Sequence, residues 1–136
     1  MLEIRPATVS DMTLLLAYDR HVSTKQLARI IPLGHVLMAY ADQRFVGWLR
    51  YGLFWDEIPF MNMLYLLEDE RGKGYGRELV RDWESRMARS GYERVMTSSQ
   101  ADEDAQHFYR KLGYRDAGVL LLPEQAAEVF FVKDFA

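Results

Sequence analysis

The chain has 136 residues, 49% of them apolar, and a formal net charge of -3, which suits one folded domain with a single core. Its basic residues are scattered among acids with no basic stripe, so a nucleic-acid surface is not expected. With no cysteine, a disulfide framework, a thiol nucleophile and a cysteine-ligated metal are excluded, which fits a reducing cytoplasm.

The start, Met1-Leu2-Glu3-Ile4-Arg5, is too polar for a signal peptide, and no apolar run is long enough to span a membrane. Leu2 to Arg5 alternates and ends at Pro6, so it reads as a first strand. Thr8 to Asp11 and Ser23 to Gln26 are capping-box starts, each followed by a short amphipathic helix. Pro32 and Gly34 stop the second helix. His35 to Tyr40 and Phe45 to Phe54 form a hairpin around Ala41 to Arg44. After a loop at Trp55 to Pro59, Phe60 to Leu67 is nearly continuous apolar sequence, as expected of a central strand covered on both faces.

Leu79, Val80, Trp83 and Met87 share a helix face. Arg94 to Ser99 is a strand, and Asp104 to Leu112 is a helix that Gly113 stops. Tyr114 to Leu122 and Val129 to Lys133 are two more strands. The order β-α-α-β-β-β-α-β-α-β-β predicts an α+β fold: a mixed, mostly antiparallel sheet flanked by about four helices. No linker or repeat divides residues 1–136.

Between the central strand and the third helix lies Leu64-Tyr65-Leu66-Leu67-Glu68-Asp69-Glu70-Arg71-Gly72-Lys73-Gly74-Tyr75-Gly76-Arg77. A glycine-rich turn at a helix N-terminus turns several backbone N–H groups toward one place, and the helix dipole favours an anion there. The sequence lacks the Ser or Thr that follows Gly-Lys in a P-loop. Its Gly-x-Gly-x-Gly spacing is not the dinucleotide fingerprint. A solvated turn using glycine for its backbone angles is the alternative.

The spacing Arg71-x-x-Gly74-x-Gly76 after an apolar strand resembles the coenzyme A pyrophosphate loop of the GNAT (Gcn5-related N-acetyltransferase) superfamily. A second stretch, Asp102-x-x-Ala105-x-x-Phe108-Tyr109-x-Lys111-Leu112-Gly113-Tyr114, is similar to that family's late helix. Both motifs fall in the right order on the right elements. Two residues depart from the pattern. Asp102 stands where Asn is common, so that Asn's role toward coenzyme A is not carried over, and Glu68 stands where Pro is frequent.

The resemblance implies an acetyl-coenzyme A-dependent transferase acting on a primary amine. Leu64, Tyr65 and Leu66 would offer backbone to the pantetheine arm. The N–H groups of Arg71, Gly72, Lys73, Gly74, Tyr75, Gly76 and Arg77 would hold the pyrophosphate. Tyr109 would protonate the departing thiolate, a step that suits a phenol because it stays protonated at neutral pH yet can donate. Each role has a plainer rival: Tyr109 as a core aromatic, and Lys73, Arg77, Arg110 and Lys111 as a solvated basic face. Glu68-Asp69-Glu70 reads as solvated surface.

For the acceptor, Trp55, Asp56 and Glu57 combine an aromatic with acids, which suits a cationic amine; a polar loop with Trp55 folded onto the sheet is the alternative. The three histidines, His21, His35 and His107, have no metal-ligand spacing, so no metal is expected. The expected partner is a small-molecule or peptide amine, with no nucleic acid and no membrane. A homodimer through the apolar C-terminal strands is compatible with the sequence, and a coenzyme A-binding module without turnover is the rival function.

Overall fold

The structure is a computed structural model describing residues 2–135, and its elements follow the expected order. Strand β1 (Glu3–Pro6) leads to helices α1 (Met12–Tyr18) and α2 (Thr24–Ile30). Strands β2 (Val36–Ala41), β3 (Arg44–Phe54) and β4 (Ile58–Leu66) follow. Then come α3 (Tyr75–Arg89), β5 (Arg94–Gln100), α4 (Ala105–Lys111), β6 (Arg115–Leu120) and β7 (Glu128–Asp134). Among the described residues no helix is long and apolar enough to cross a membrane.

Local chemistry sets most of the boundaries. Asp11 accepts the Thr8 N–H at 2.7 Å, closing a 3-10 turn over Val9–Asp11 ahead of α1. Ser23 Oγ accepts the Gln26 N–H at 3.1 Å and caps α2. Gly113, at φ +96°, lets the Tyr114 N–H return to the Tyr109 carbonyl at 3.1 Å and ends α4. The β2–β3 turn places Asp42 and Gln43 at φ 48° and 67°, the left-handed pair that a two-residue hairpin requires.

The strands form a mixed sheet in the order β1-β2-β3-β4-β5-β7-β6. The β1–β2, β2–β3, β5–β7 and β6–β7 ladders are antiparallel, and β4–β5 is parallel. The chain groups into two compact units. The first is the chain through Tyr51 with Met63–Val80, and the second is Gly52–Asn62 with the chain from Arg81.

In the first unit Leu15, Leu27, Ile31, Val36, Met38 and Trp48 form a buried core, with Met63 and Tyr65 packed against it. A buried ion pair lies beneath the end of α1: Arg50 Nε donates to Asp19 Oδ2 at 2.9 Å, and Trp48 Nε1 donates to the same carboxylate at 3.3 Å. A Cβ at Gly47 would collide with the Tyr65 carbonyl oxygen, so glycine is what lets β3 approach β4 there.

In the second unit α4 lies over β5 and β7. The Tyr109 ring centroid is 6.0 Å from that of Phe131, which is 0% exposed. Glu84 accepts the Tyr114 hydroxyl at 2.8 Å and the Lys133 ammonium at 3.0 Å.

Strand β4 departs from expectation. It is central in the strand order, yet Asn62 is exposed and Met63–Leu66 are only half-buried. Its ladder with β5 runs over Phe60↔Met96 and Met61↔Thr97. An apolar run reports that the residues tolerate burial, and it does not say which neighbour supplies it.

Burial pushes the Tyr109 phenol up to about 12. Burial, with the Glu84 carboxylate beside it, also raises that of Tyr114. The folded chain therefore keeps protons that the unfolded chain gives up near the ordinary value of 10.0. For Tyr109 this contribution to stability is complete below about pH 10 and is lost as pH rises through about 12. Melting temperatures measured across that window should fall with the Tyr109→Phe variant falling less steeply; parallel curves would show that this phenol is not held neutral by the fold.

Candidate functional site

The glycine stretch leaves β4 through a 3-10 turn at Glu68–Glu70 and an extended Arg71. Gly72 and Gly74 take φ of +76° and +85°, and a Cβ on either would meet no protein atom within 4 Å. Both glycines are thus used for backbone conformation, and the surface above them is open. Arg71, Gly72, Lys73 and Gly74 are exposed, Tyr75 and Gly76 half-buried, and Arg77 exposed. The Glu78 N–H to Gly74 carbonyl bond, 3.1 Å, spans the first turn of α3. The amides of Tyr75, Gly76 and Arg77 precede it and have no partner within the helix, at the positive end of a 15-residue helix.

Side chains clamp this loop from behind. Glu70 takes Arg44 Nε at 3.1 Å, Arg44 Nη2 at 3.0 Å and Lys73 Nζ at 3.0 Å. These hydrogen bonds pull its carboxyl down to about 2, so the clamp is fully charged at neutral pH. The expectation that Glu70 is solvated surface is therefore corrected: its side chain is 12% exposed and pinned between two cations. Arg71 Nε donates to the Leu66 carbonyl at 2.9 Å, and its guanidinium lies 5.0 Å from the Tyr65 ring centroid. Tyr65 in turn packs 4.9 Å from Trp48. Leu64, Tyr65 and Leu66 are thus joined to the loop that follows them.

In the second unit Tyr109 is 6% exposed. Its hydroxyl neighbours that of Thr97, which donates to the Met61 carbonyl at 3.0 Å. The phenol thus lies by the Met61↔Thr97 pair of β4 and β5, next to exposed Asn62. Arg110 is paired bidentately with Asp116, at 2.9 Å on each arm. Asp102 is exposed ahead of α4.

Trp55, Asp56 and Glu57 stand at the tip of the β3–β4 hairpin, all exposed. Trp55 and Asp56 occupy φ of 56° and 58°, a costly place for a bulky side chain. Trp55 is not folded onto the sheet: it is 75% exposed and leans on Phe54 at 4.7 Å. Sequence reasoning did not find the Arg44–Glu70 pair, Thr97, or a cavity lined by Phe54, Phe60 and Phe130. Each joins residues far apart in the chain, and no local spacing announces such a pairing.

A family model described as the acetyltransferase (GNAT) family matches residues 6–114. Among solved structures, Ard1 from Thermoplasma volcanium superposes with a TM-score of 0.84 at 13% identity, covering 99% of this chain and 98% of that one. The PaiA N-acetyltransferase from Thermoplasma acidophilum, solved in complex with coenzyme A, gives a TM-score of 0.81 at 17% identity, covering 99% of each chain. An N-acetylglutamate synthase from Neisseria gonorrhoeae, complexed with coenzyme A and N-acetyl-glutamate, gives 0.83 at 18% identity, covering 98% of this chain and 35% of that one. At these identities the likeness shows the fold. Among curated proteins none matches the chain.

Proposed function

The chain belongs to the acetyltransferase (GNAT) family, and from that premise we propose that it transfers acetyl from acetyl-coenzyme A to a primary amine. The observation that carries the reading is the glycine loop: two glycines at positive φ, exposed and open above, at the start of α3 and directly after a half-buried strand. The amides from Arg71 to Arg77 suit a pyrophosphate, and the backbone of Leu64–Leu66 suits an extended pantetheine arm. Lys73 is held back by Glu70, so the loop's backbone amides supply the larger part of the anion contact.

The chemistry asks little more. A neutral amine attacks the acyl carbonyl, and a backbone N–H stabilises the oxyanion. The new N–C bond forms, the C–S bond breaks, the Tyr109 phenol gives its proton to the thiolate sulfur, and the amine's proton passes to water. Trp55, Asp56 and Glu57 draw a cationic acceptor toward the hairpin tip. Changing Asp56 and Glu57 together to amides should raise KM for a cationic amine more than for a neutral-bodied one, and added salt should mimic part of the rise. Equal KM values before and after would place these acids outside the acceptor's path.

The donor half is tested by calorimetric titration with acetyl-coenzyme A. Saturable binding, with a rise in melting temperature, is the expected result; no heat and no rise would overturn the reading of the loop.

A further inference from the structure

Strands β5 and β7 of the second unit have two unlike faces. On one, Thr97, Phe131 and Lys133 lie against α4 and Glu84 of α3: the phenol of Tyr109 neighbours Thr97, its ring lies 6.0 Å from Phe131, and Glu84 holds Lys133 at 3.0 Å. Side chains alternate along a strand, so Ser98, Glu128 and Phe130 face the other way. Phe60 faces with them, its ring 5.6 Å from that of Phe130, and Phe54 lies 6.1 Å from Phe60. With Gly52, Leu53 and Asn62 these rings line a cavity of about 350 Å³. Phe130 is half-buried where its neighbour Phe131 is fully buried. Three aromatic rings therefore face open space instead of packing into core.

Two features keep the space open and give it polarity. Gly52 has no side chain, and a Cβ there would come within 3.3 Å of Asn62 Nδ2. Asn62 adjoins Met61, whose carbonyl receives the hydroxyl of Thr97, the neighbour of the Tyr109 phenol. Glu128 shares the face of Phe130, with its Oε2 accepting from Ser98 Oγ at 2.7 Å. An apolar slot with a carboxylate on the same face selects an amine carrying an aromatic body: the ring packs edge-to-face on phenylalanines, and the ammonium is drawn by carboxylate and ring faces. A diamine would strand its second charge in the apolar slot. The volume is at the low end of the ~300–1,000 Å³ typical of ligand pockets and has room for a single ring with a short arm.

We propose that the acetyl acceptor is a small primary amine with an aromatic body, selected by Phe54, Phe60 and Phe130. The proposal rests on the acetyltransferase reading above, and it adds the acceptor's class and the residues that choose it.

The test compares 2-phenylethylamine, n-propylamine and putrescine on the full chain. Turnover is read as thiol release from acetyl-coenzyme A, and binding is read separately by saturation-transfer NMR with coenzyme A present. The value of kcat/KM for 2-phenylethylamine should exceed that for either other amine by about tenfold or more. Phe130→Ala should raise its KM about fivefold while moving that of n-propylamine by less than about twofold. Phe130→Trp, which narrows the slot and keeps an apolar side chain there, should cause the same selective loss and serves if the alanine variant fails to fold. Preference for putrescine, or equal losses for all amines, overturns the proposal and leaves the acetyltransferase reading standing. Binding of 2-phenylethylamine that Phe130→Trp abolishes, without turnover of any amine, supports the pocket and counts against the acetyltransferase reading. Neither binding nor turnover overturns both.

Discussion

Tyr109→Phe is expected to lower kcat by about 10²–10⁴-fold while the Kd for acetyl-coenzyme A stays within a few fold, because general-acid assistance is typically worth that much. The change removes one oxygen. The ring keeps its contacts with Phe131 and Tyr114, and Thr97 keeps its bond to the Met61 carbonyl, so no buried donor is stranded. The stability cost should be no more than that of one hydrogen bond, about 1 kcal/mol. With its proton affinity pushed up to about 12, the phenol remains protonated throughout the neutral range, and a loss of rate there on changing pH has another source. The defect should shrink for a thioester with a better leaving thiolate, which needs the proton less. Full kcat in the variant, measured where chemistry limits the rate, would make Tyr109 a packing residue.

Gly74→Val should weaken acetyl-coenzyme A binding at least about tenfold, or 1.4 kcal/mol, in a chain that still folds. A Cβ at this position meets no protein atom within 4 Å. Loss of affinity would therefore come from a collision with the donor or from the backbone leaving φ +85°, and both act at the loop. Gly91 provides the control. It lies beyond the other end of α3, at φ +95° with the same open surroundings. Gly91→Val should carry a similar backbone strain, of order 1–2 kcal/mol, and leave the affinity unchanged. Equal losses from both variants would mean general destabilisation, and unchanged affinity in folded Gly74→Val would remove the loop from the site.

What the sequence disclosed was chemistry that acts over a few residues. The Ser23 cap, the Gly113 stop and the positive-φ glycines of the loop are set by neighbours in the chain, and the order of strands and helices followed from them. The coverage of β4 was not legible, because an apolar run reports tolerance of burial and not the neighbours that supply it, and Met63–Leu66 are only half-buried. The loop's charge pattern misled for a related reason. Glu68, Asp69 and Glu70 look alike in sequence, and Arg44, on another strand, singles out Glu70. The aromatic cavity was hidden because Phe130 reads as one of two adjacent phenylalanines in a strand. Alternation gives the two to opposite faces, and only the helices decide which one is covered.

The most direct measurement of the central claim is amine-dependent release of free thiol from acetyl-coenzyme A, with the product identified by mass spectrometry, over a broad panel of primary amines. The expected result is thiol release that requires the amine, saturates with both substrates and yields one N-acetylated product per thiol freed. Binding of acetyl-coenzyme A with no acetyl loss across the panel would contradict it and make the chain a coenzyme A-binding module without turnover.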